Sequence, residues 1–329
     1  MSKTTKQRVP SRRHPTPSNP TSPKRTTSSR PAKEQPVAEP KRFRSRHRVV
    51  AALAPAAVVV AIIAAMVVFK ATSSPSAPPP SASRLASGPS SSASASGGTT
   101  ALAPGVVASL LVPEATLNTV GRPSSVVAPS PTGDNGPILR ASDGKPIVTY
   151  IGAEWCPFCA AERWAMAVAL SRFGTFSDLS ATHSSTSDVY PDTQTLSFYG
   201  SHYTSPYLDF VPVEEATNQA VNGSYPALQR PTAARSDLVA RFDPQGSIPF
   251  LDIANKYVVT GASYSPQVLS GLSRAQIAGA LHDPSSPVAQ AIDGAANVMT
   301  AALVQVTGQQ PGSVASSPVI ASIAKSLGA

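Results

Sequence analysis

The chain has 329 residues, 34 prolines, two cysteines and a formal net charge of +9. The charge is uneven, because residues 1–48 contain 14 Lys/Arg and 2 Asp/Glu, a net of +12, whereas the remaining 281 residues carry a net charge of −3. Long Ser/Ala/Pro tracts exclude a packed core over much of the first third. The basic character therefore belongs to an N-terminal tail and not to a folded domain.

Residues 1–48 are predicted to be a basic, disordered cytoplasmic tail. The segment is rich in Pro, Ser and Thr, has no aromatic residue before Phe43 and shows no helical periodicity. We expect it to determine membrane topology and to contact anionic lipid. Any binding to nucleic acid would be unspecific, and no nucleic-acid partner is expected.

A transmembrane helix is predicted for residues 49–69, "VVAALAPAAVVVAIIAAMVVF". These 21 residues carry no charge, and about 20 apolar residues span a bilayer as a helix. The basic run "KRFRSRHR" (41–48) precedes the segment and only Lys70 follows it closely, so the N-terminus is expected in the cytoplasm. A cleaved signal peptide is the alternative, but the apolar stretch is long and begins late for one. We therefore expect a single-pass protein of the cell membrane with an extracytoplasmic C-terminal domain.

The remainder of the chain divides into a linker, a domain and a tail. Residues 70–104 are predicted to be a Ser/Ala/Pro-rich linker, residues 105–310 a folded domain, and residues 311–329 a loose C-terminal tail. A short amphipathic helix is expected within 104–121. Four apolar residues would pack it on the domain: Val107, Leu110, Leu111 and Leu117.

Strands and helices alternate through the predicted domain. Residues 145–153 form a nearly continuous apolar run, which is typical of a strand buried in a sheet, and a well-buried helix is predicted for 156–173. The later predicted elements are a polar loop at 174–192, strands at 193–200 and 207–215, a loop at 216–233, a helix at 233–242, a strand–turn–strand at 247–261, and helices at 273–283 and 286–306.

Both cysteines lie in one motif, "CPFC", at the predicted junction of strand and helix. A disulfide between residues three apart stabilises a fold by only about 2 kcal/mol, so chemistry explains the pair better than stability does. At the start of the helix, unpaired N–H groups and the helix dipole favour a thiolate on Cys156, and Pro157 suits the first helical position. Cys159 lies one turn further along. We therefore expect Cys156 to be the exposed nucleophile and Cys159 the buried resolving thiol.

The cysteine pair could instead bind zinc or form a structural disulfide. A zinc site needs about four ligands, and the remaining candidates, His183, His202 and His282, form no matching pair. No metal and no cofactor are therefore expected. A redox-inactive disulfide that is kept for local rigidity is the second alternative.

The order of elements, with a CxxC at the start of a helix and a proline before a hairpin, resembles the thioredoxin fold. Four segments are also similar to domain-of-unknown-function family 929, a family of membrane-anchored thioredoxin-like proteins: "YIGAEWCPFCAAERWA", "ALSRFGTFSDL", "THSSTSDVYPDTQTLSFYGSHYTSPYL" and "GSIPFLDIANKYVVTGASY". The resemblance covers roughly residues 105–310. It implies an α/β fold class, with a thioredoxin-like central sheet flanked by helices and an insertion, 174–235, between the CxxC helix and the cis-Pro hairpin.

The same resemblance implies how a substrate would dock. In thioredoxin-like proteins the loop before the hairpin faces the CxxC, so the Ile248–Pro249 bond is expected to be cis and Pro249 to pack on Cys156. Substrate is expected to contact Trp155, Pro157 and Phe158 in the motif, and Ile248 and Pro249 in the loop.

Some polar and aromatic residues near the motif are expected to have no catalytic part. Thioredoxins carry a buried Asp six residues before the first cysteine, where this chain has Tyr150, and the nearby Glu154 and Glu162 are expected to be solvated. An aromatic cluster in the insertion is expected to be core and sheet face rather than a ligand site: Tyr190, Phe198, Tyr199, Tyr203, Tyr207 and Phe210.

These expectations describe a membrane-anchored, extracytoplasmic thiol–disulfide oxidoreductase that acts on envelope proteins through the CPFC centre. Its partners would be protein thiols and disulfides in the envelope, together with a membrane redox partner. The direction of electron flow stays open. The alternative is a non-catalytic binding module that uses the thioredoxin scaffold as a docking surface. Reactivity separates the two, because exchange requires that Cys156 titrate well below a free thiol.

Overall fold

The computed structural model of the protein describes residues 100–328. The predicted basic tail at 1–48, the predicted transmembrane helix at 49–69 and the predicted linker as far as residue 99 lie outside the described residues. Within 100–328, no helix combines the length and the apolar character that crossing a membrane requires.

The described elements are, in chain order, β1 (Thr100–Ala101), α1 (Pro104–Ser109), α2 (Glu114–Val120), β2 (Ser130–Pro131), β3 (Ile147–Gly152), α3 (Pro157–Ser171), β4 (Thr175–Ser177), β5 (Ser180–His183), β6 (Gln194–Ser197), β7 (His202–Thr204), β8 (Asp209–Glu214), α4 (Ala233–Phe242), β9 (Phe250–Ile253), β10 (Tyr257–Thr260), a 3₁₀ helix (Pro266–Leu269), α5 (Arg274–Ala280), α6 (Pro287–Val306), α7 (Gly312–Ala315) and α8 (Pro318–Ser326).

A central five-stranded sheet has the strand order β2–β10–β9–β3–β8. β3 pairs in parallel with β8, from Ile147 opposite Asp209 to Gly152 opposite Glu214. On its other side β3 pairs antiparallel with β9, and β9 forms a hairpin with β10. β3 thus has a partner on each side, and the burial of its residues confirms the apolar strand predicted for 145–153.

Helices pack on both faces of this sheet. Successive strand residues point to opposite faces, so Tyr150 belongs to the main core with α3 and α6, whereas Ile151 packs with Phe250 against α4. The helices predicted at 156–173, 233–242, 273–283 and 286–306 are confirmed as α3, α4, α5 and α6.

The chain between α3 and β8 contains strands where a polar loop was predicted for 174–192, and that prediction is wrong. β4 and β7 form a two-stranded sheet, and β5 and β6 join β1 in a three-stranded sheet. Phe176 and Leu179 are buried in the core, and this burial holds the short strands in place. The strands predicted at 193–200 and 207–215 are confirmed as β6 and β8.

The folded part extends beyond both limits predicted for it. At the N-terminal side, β1 pairs with β5, so described structure precedes residue 105. The loose tail predicted for 311–329 is wrong as far as residue 328, because α7 and α8 form there and α8 packs on α6. α8 has Ser317 as its N-cap, and its Ile320 and Ile323 are buried one turn apart against the core.

The amphipathic helix predicted for 104–121 is divided into α1 and α2. Pro113 is the N-cap residue of α2, and a proline disfavours helical geometry in the residue before it. Leu110 and Leu117 are buried as predicted, whereas Leu111 is 66% exposed, so the prediction was wrong for that residue. Val107 is partly buried against the core.

Candidate functional site

Cys156 lies at the turn between β3 and α3. It is the N-cap residue of α3, with an extended backbone, and its Sγ accepts a hydrogen bond from the Cys159 N–H at 3.2 Å. Pro157 occupies the start of the helix, where no backbone N–H is needed. The predicted position of Cys156 at the helix start is therefore confirmed.

The pKa values of the two thiols are shifted in opposite directions. A hydrogen bond from the Cys159 thiol, a second from its backbone N–H and the charge of Arg163 lower the pKa of Cys156 below that of a free thiol. Burial raises the pKa of Cys159 well above its usual value. Cys156 is therefore the thiol that ionises first.

Both cysteines are free thiols, and both are buried. Cys156 is 3% exposed and Cys159 0%, so the expected exposure of Cys156 is wrong and the expected burial of Cys159 is confirmed. The Ile248 carbonyl oxygen lies 3.8 Å from the Cys156 Sγ and helps to cover it. The Ile248–Pro249 bond is cis, as expected, and Pro249 is buried directly before β9. The loop before the hairpin thus faces the cysteines.

A buried ion pair lies close to the cysteines. Arg163 Nε and Nη2 each lie 2.7 Å from one carboxylate oxygen of Glu214, and both side chains are fully buried. Such bidentate geometry offsets the desolvation of the two charges. Arg163 Nη2 also donates to the Ala153 carbonyl oxygen at 2.8 Å and so anchors the turn that leads to Cys156. The guanidinium charge lowers the pKa of both cysteines.

Sequence reasoning missed this ion pair. Arg163 follows Cys159 by four residues and therefore lies on the same side of α3, which was the local signal available. Glu214 is 51 residues further along the chain than Arg163 and lies opposite Gly152 at the end of β8. Only the parallel pairing of β3 with β8 brings the carboxylate to the arginine.

Tyr150 packs next to Cys159. The tyrosine is fully buried, and its ring meets that of Phe198 edge to face at 5.5 Å. A side-chain carbon at Gly152 would overlap the Tyr150 phenol and lie 3.1 Å from the Cys159 Sγ, so this packing requires glycine. Among the described residues the phenol oxygen has no hydrogen-bond partner, and burial raises the pKa of Tyr150.

The two glutamates near the motif are buried, so the expectation that they are solvated is wrong. Burial raises the pKa of Glu154. Glu162 is fully buried and accepts hydrogen bonds from the Ser263 N–H at 2.7 Å and from its hydroxyl at 2.9 Å. Burial raises the pKa of Glu162 to about 7. Both glutamates are buried for the same reason, because α3 and the turn before it are enclosed on almost every side.

Two segments of the insertion hold the aromatic residues of the motif. Trp155 stacks on Tyr225 at 5.4 Å, and Phe158 meets Tyr190 edge to face at 5.8 Å. The Ser185 N–H donates to the Trp155 carbonyl oxygen at 2.8 Å, and Tyr225 donates to the Ser185 hydroxyl at 2.6 Å. Trp155 is half-buried and Phe158 is 39% exposed, so of these two predicted substrate contacts Phe158 is the more accessible.

Most residues of the predicted aromatic cluster lie in the core or against it. Phe198, Tyr203 and Phe210 pack around Phe176, which confirms their expected place in the core. Tyr190 was grouped with them but lies beside Phe158 instead.

Two of the three histidines considered as metal ligands, His183 and His202, pair with carboxylates. His183 Nδ1 lies 3.0 Å from an Asp192 oxygen, and His202 Nδ1 lies 3.2 Å from an Asp178 oxygen. Within residues 100–328, no group of three or more His, Cys, Asp or Glu side chains is placed to hold a metal ion.

The described part of the chain is thus a mixed α/β domain with a dithiol at a strand-to-helix turn. Residues 136–225 match the family model described as "Domain of unknown function (DUF929)". This match confirms the family resemblance drawn from the sequence, over a segment that includes the CPFC motif and most of the insertion. The wider extent expected for it, 105–310, stays a prediction. No curated protein and no solved structure matched the chain.

Proposed function

We propose that the chain is a thiol–disulfide oxidoreductase whose nucleophile is Cys156 and whose resolving thiol is Cys159. The observation that carries the proposal is the contrast between the two sulfur atoms. Hydrogen bonds from Cys159 at the helix start lower the pKa of Cys156, whereas burial raises the pKa of Cys159 well above its usual value. A thiol of lowered pKa beside one of raised pKa suits sequential exchange, because the first attacks as a thiolate while the second stays protonated.

The exchange would run in two balanced steps. The Cys156 thiolate attacks one sulfur of a substrate disulfide and forms a mixed disulfide, and the other substrate sulfur leaves as a thiolate that takes up a proton. Cys159 then loses its proton and attacks Cys156, and the second substrate sulfur leaves and is protonated. The substrate disulfide is reduced and the protein dithiol is oxidised. The reverse sequence oxidises a substrate dithiol.

The surroundings of the dithiol support the order of these steps. The charge of Cys156 is among the causes that raise the pKa of Cys159. Formation of the mixed disulfide removes that charge, so Cys159 ionises more readily once its partner has reacted. The buried Arg163 charge lowers the pKa of both cysteines and would stabilise whichever thiolate is present.

We also propose that the domain is thioredoxin-like. β3, α3 and β8 form a parallel βαβ unit with the CxxC at its first turn, and the β9–β10 hairpin follows Pro249. A CxxC beside a βαβ unit is typical of thioredoxin-like redox domains. The strands β4 to β7 lie between α3 and β8 in sequence, and they account for the insertion before the hairpin.

The substrates proposed are protein thiols or disulfides. The Ile248 backbone faces Cys156, so an extended substrate segment could pair there by strand addition. Trp155 and Phe158 would supply aromatic contacts beside it.

A covalent trap tests the function. Cys159→Ala in the full-length chain should accumulate mixed disulfides between Cys156 and its substrates, visible on non-reducing gels and released by reductant. The matched control is Cys156→Ala, which should trap none. If both variants capture the same proteins, or if neither forms a disulfide-linked species, the chain is the non-catalytic docking module instead.

We propose, from the sequence alone, that residues 49–69 anchor this domain on the outer side of the membrane. The 21 uncharged residues and the basic run 41–48 support this orientation. Protease added to intact spheroplasts should digest residues 70–329 and spare the basic tail. Protection of the CPFC domain from the protease would contradict its proposed extracytoplasmic location.

A further inference from the structure

A cavity of about 300 Å³ adjoins the loop that faces the dithiol. Ile151 at the end of β3 and Glu215 just after β8 lie along its wall, and so do α4 and the chain that follows α4. Because β3 and β8 are parallel, their carboxyl ends meet at one edge of the sheet. The same edge carries the turn that leads to Cys156.

The cavity is close enough to the reactive sulfur to receive a neighbouring side chain of a substrate. Ile248 lines the cavity, and its carbonyl oxygen lies 3.8 Å from the Cys156 Sγ. An extended chain advances about 3.3 Å per residue. A substrate whose cysteine reacts with Cys156 would therefore place a side chain one or two residues away at the mouth of this cavity.

The cavity combines an apolar floor with negative charge. Ile151, Val239 and Phe250 supply the apolar surface, and Glu215 and Asp243 supply carboxylates. One Asp243 oxygen accepts a hydrogen bond from the Ser247 N–H at 2.6 Å. The half-buried Glu215 carboxylate is different, because none of the hydrogen bonds and ion pairs found within residues 100–328 involves its side chain. No Lys or Arg side chain lines the cavity.

An apolar floor beside a carboxylate favours some substrate side chains over others. A purely apolar side chain would desolvate Glu215 without giving it a partner, which is unfavourable, and an acidic side chain would be repelled. Lys and Arg carry a long aliphatic stem that can cover the apolar floor, and a charged end that can reach a carboxylate. The cavity therefore fits a basic side chain best.

We propose that this cavity binds a Lys or Arg side chain adjacent to the reactive cysteine of a protein substrate, with Glu215 as the residue that determines the preference. The inference rests on the proposed oxidoreductase function and adds a substrate class to it. Substrates would carry a basic residue within two positions of the cysteine that is exchanged.

The test uses peptides with a single cysteine linked to 2-nitro-5-thiobenzoate as a mixed disulfide. Each peptide carries Lys, norleucine or Glu at a single position, which is one or two residues before or after the cysteine. In the full-length Cys159→Ala chain, the Cys156 thiolate attacks the peptide sulfur and joins the peptide in a disulfide. The coloured thiolate leaves, and its absorbance gives the second-order rate constant.

At one position at least, the Lys peptide should react roughly tenfold faster than the Glu peptide, with norleucine between them, since one ion pair of about 1.4 kcal/mol corresponds to that factor. Adding Glu215→Gln should remove most of the ratio, and adding Glu215→Lys should reverse it. The matched control is Asp237→Asn, an exposed carboxylate on α4 that does not line the cavity, and it should leave the ratio unchanged.

The possible outcomes distinguish the basic-residue pocket from the proposed oxidoreductase function. Equal rates for the three peptides at every position, measured on the Cys159→Ala chain with Glu215 unchanged, would overturn the basic-residue pocket. They would not contradict the oxidoreductase function. A Lys preference that survives Glu215→Gln would also overturn the pocket. Failure to release the coloured thiolate from any peptide would overturn the oxidoreductase, and the pocket with it.

Discussion

The thiols of Cys156 and Cys159 are three residues apart and chemically unlike. Hydrogen bonds from Cys159 and the Arg163 charge lower the pKa of Cys156, and burial raises that of Cys159. Iodoacetamide at about pH 6.5 should therefore label Cys156 of the reduced chain roughly tenfold faster than Cys159, because only thiolates react. Mass spectrometry of tryptic peptides after timed quenching measures the two rates.

The control for this labelling is Cys156→Ala, in which Cys159 should still react more slowly than Cys156 does in the unaltered chain, because it stays buried, and should react readily once the chain is denatured. Equal labelling of the two cysteines, or faster labelling of Cys159, would reverse their assigned roles.

Two buried tyrosines, Tyr150 and Tyr264, differ in the hydrogen bonding of their hydroxyl groups. The Tyr150 hydroxyl has no partner among the described residues, whereas the Tyr264 hydroxyl donates to the Ala161 carbonyl oxygen at 2.6 Å. An unsatisfied buried polar group costs about 1–3 kcal/mol. Tyr150→Phe should therefore raise the free energy of unfolding of the reduced chain by about 1 kcal/mol, and Tyr264→Phe should lower it by a similar amount.

Urea unfolding of the two variants beside the unaltered chain measures both effects. Loss of stability in Tyr150→Phe equal to that in Tyr264→Phe would mean that the Tyr150 hydroxyl has a partner.

Sequence reasoning at the scale of residues succeeded where the signal was local. Cys156 could be placed at a helix start because Pro157 follows it and an apolar run precedes it. Glu154 and Glu162 were expected to be solvated, because a carboxylate near an apolar helix normally faces solvent. The hydrogen bonds that Glu162 accepts come from Ser263, which is 101 residues away in the sequence, so no local pattern predicts them.

At the scale of elements, the turn between α3 and β4 depends on one glycine. A side-chain carbon at Gly174 would lie 2.8 Å from the Ser205 Cβ and would also overlap the Thr204 carbonyl oxygen. Gly174→Ala should therefore separate β7 from the end of α3 and lower stability by about 1–3 kcal/mol. Thermal unfolding followed by circular dichroism measures the change.

The matched control is Gly279→Ala in α5, where an added carbon would meet nothing within 4 Å. It should stabilise the chain by about 0.5–1 kcal/mol through helix propensity. A Gly174→Ala variant as stable as Gly279→Ala would contradict the close approach of β7.

Several elements that sequence reasoning found have an apolar pattern of their own. β3, α3 and α6 are long enough for such a pattern to be recognised. β4 and β7 have three residues each, so their identity as strands depends on each other and not on a local pattern. α8 was missed although Ile320 and Ile323 have helical spacing, because the surrounding Gly, Ser and Pro residues indicated a loose tail.

At the scale of the whole molecule, the site depends on pairings that no local pattern encodes. The order β10–β9–β3–β8 brings Pro249 and Glu214 to the two sides of the turn that carries Cys156. From the sequence, only the position of Pro249 beside the cysteines was expected, through the resemblance to the thioredoxin fold, and the position of Glu214 was not. The same enclosure that buries the dithiol also buries carboxylates in the main core, and these make the stability of the whole domain depend on pH.

Asp293 in α6 is the clearest of these carboxylates. It is fully buried, and neither oxygen has a hydrogen-bond partner among the described residues. Burial raises its pKa from the usual 3.8 to about 8. Between these pH values the unfolded chain has released the proton and the folded chain retains it, so raising the pH favours unfolding. Glu162, with a pKa of about 7, acts in the same direction.

Asp293→Asn removes this titration and keeps the size and polarity of the side chain. Stability of the unaltered chain should fall between pH 5 and pH 8 by at most about 1.4 kcal/mol per pH unit for this one group, and that of the variant should fall less, so the advantage of the variant should grow with pH. Urea unfolding at pH 5 and pH 8 measures both slopes. Asp237→Asn, at an exposed site on α4, is the control and should leave the slope unchanged. Parallel pH profiles for Asp293→Asn and the unaltered chain would show that Asp293 is already ionised in the folded state over this pH range.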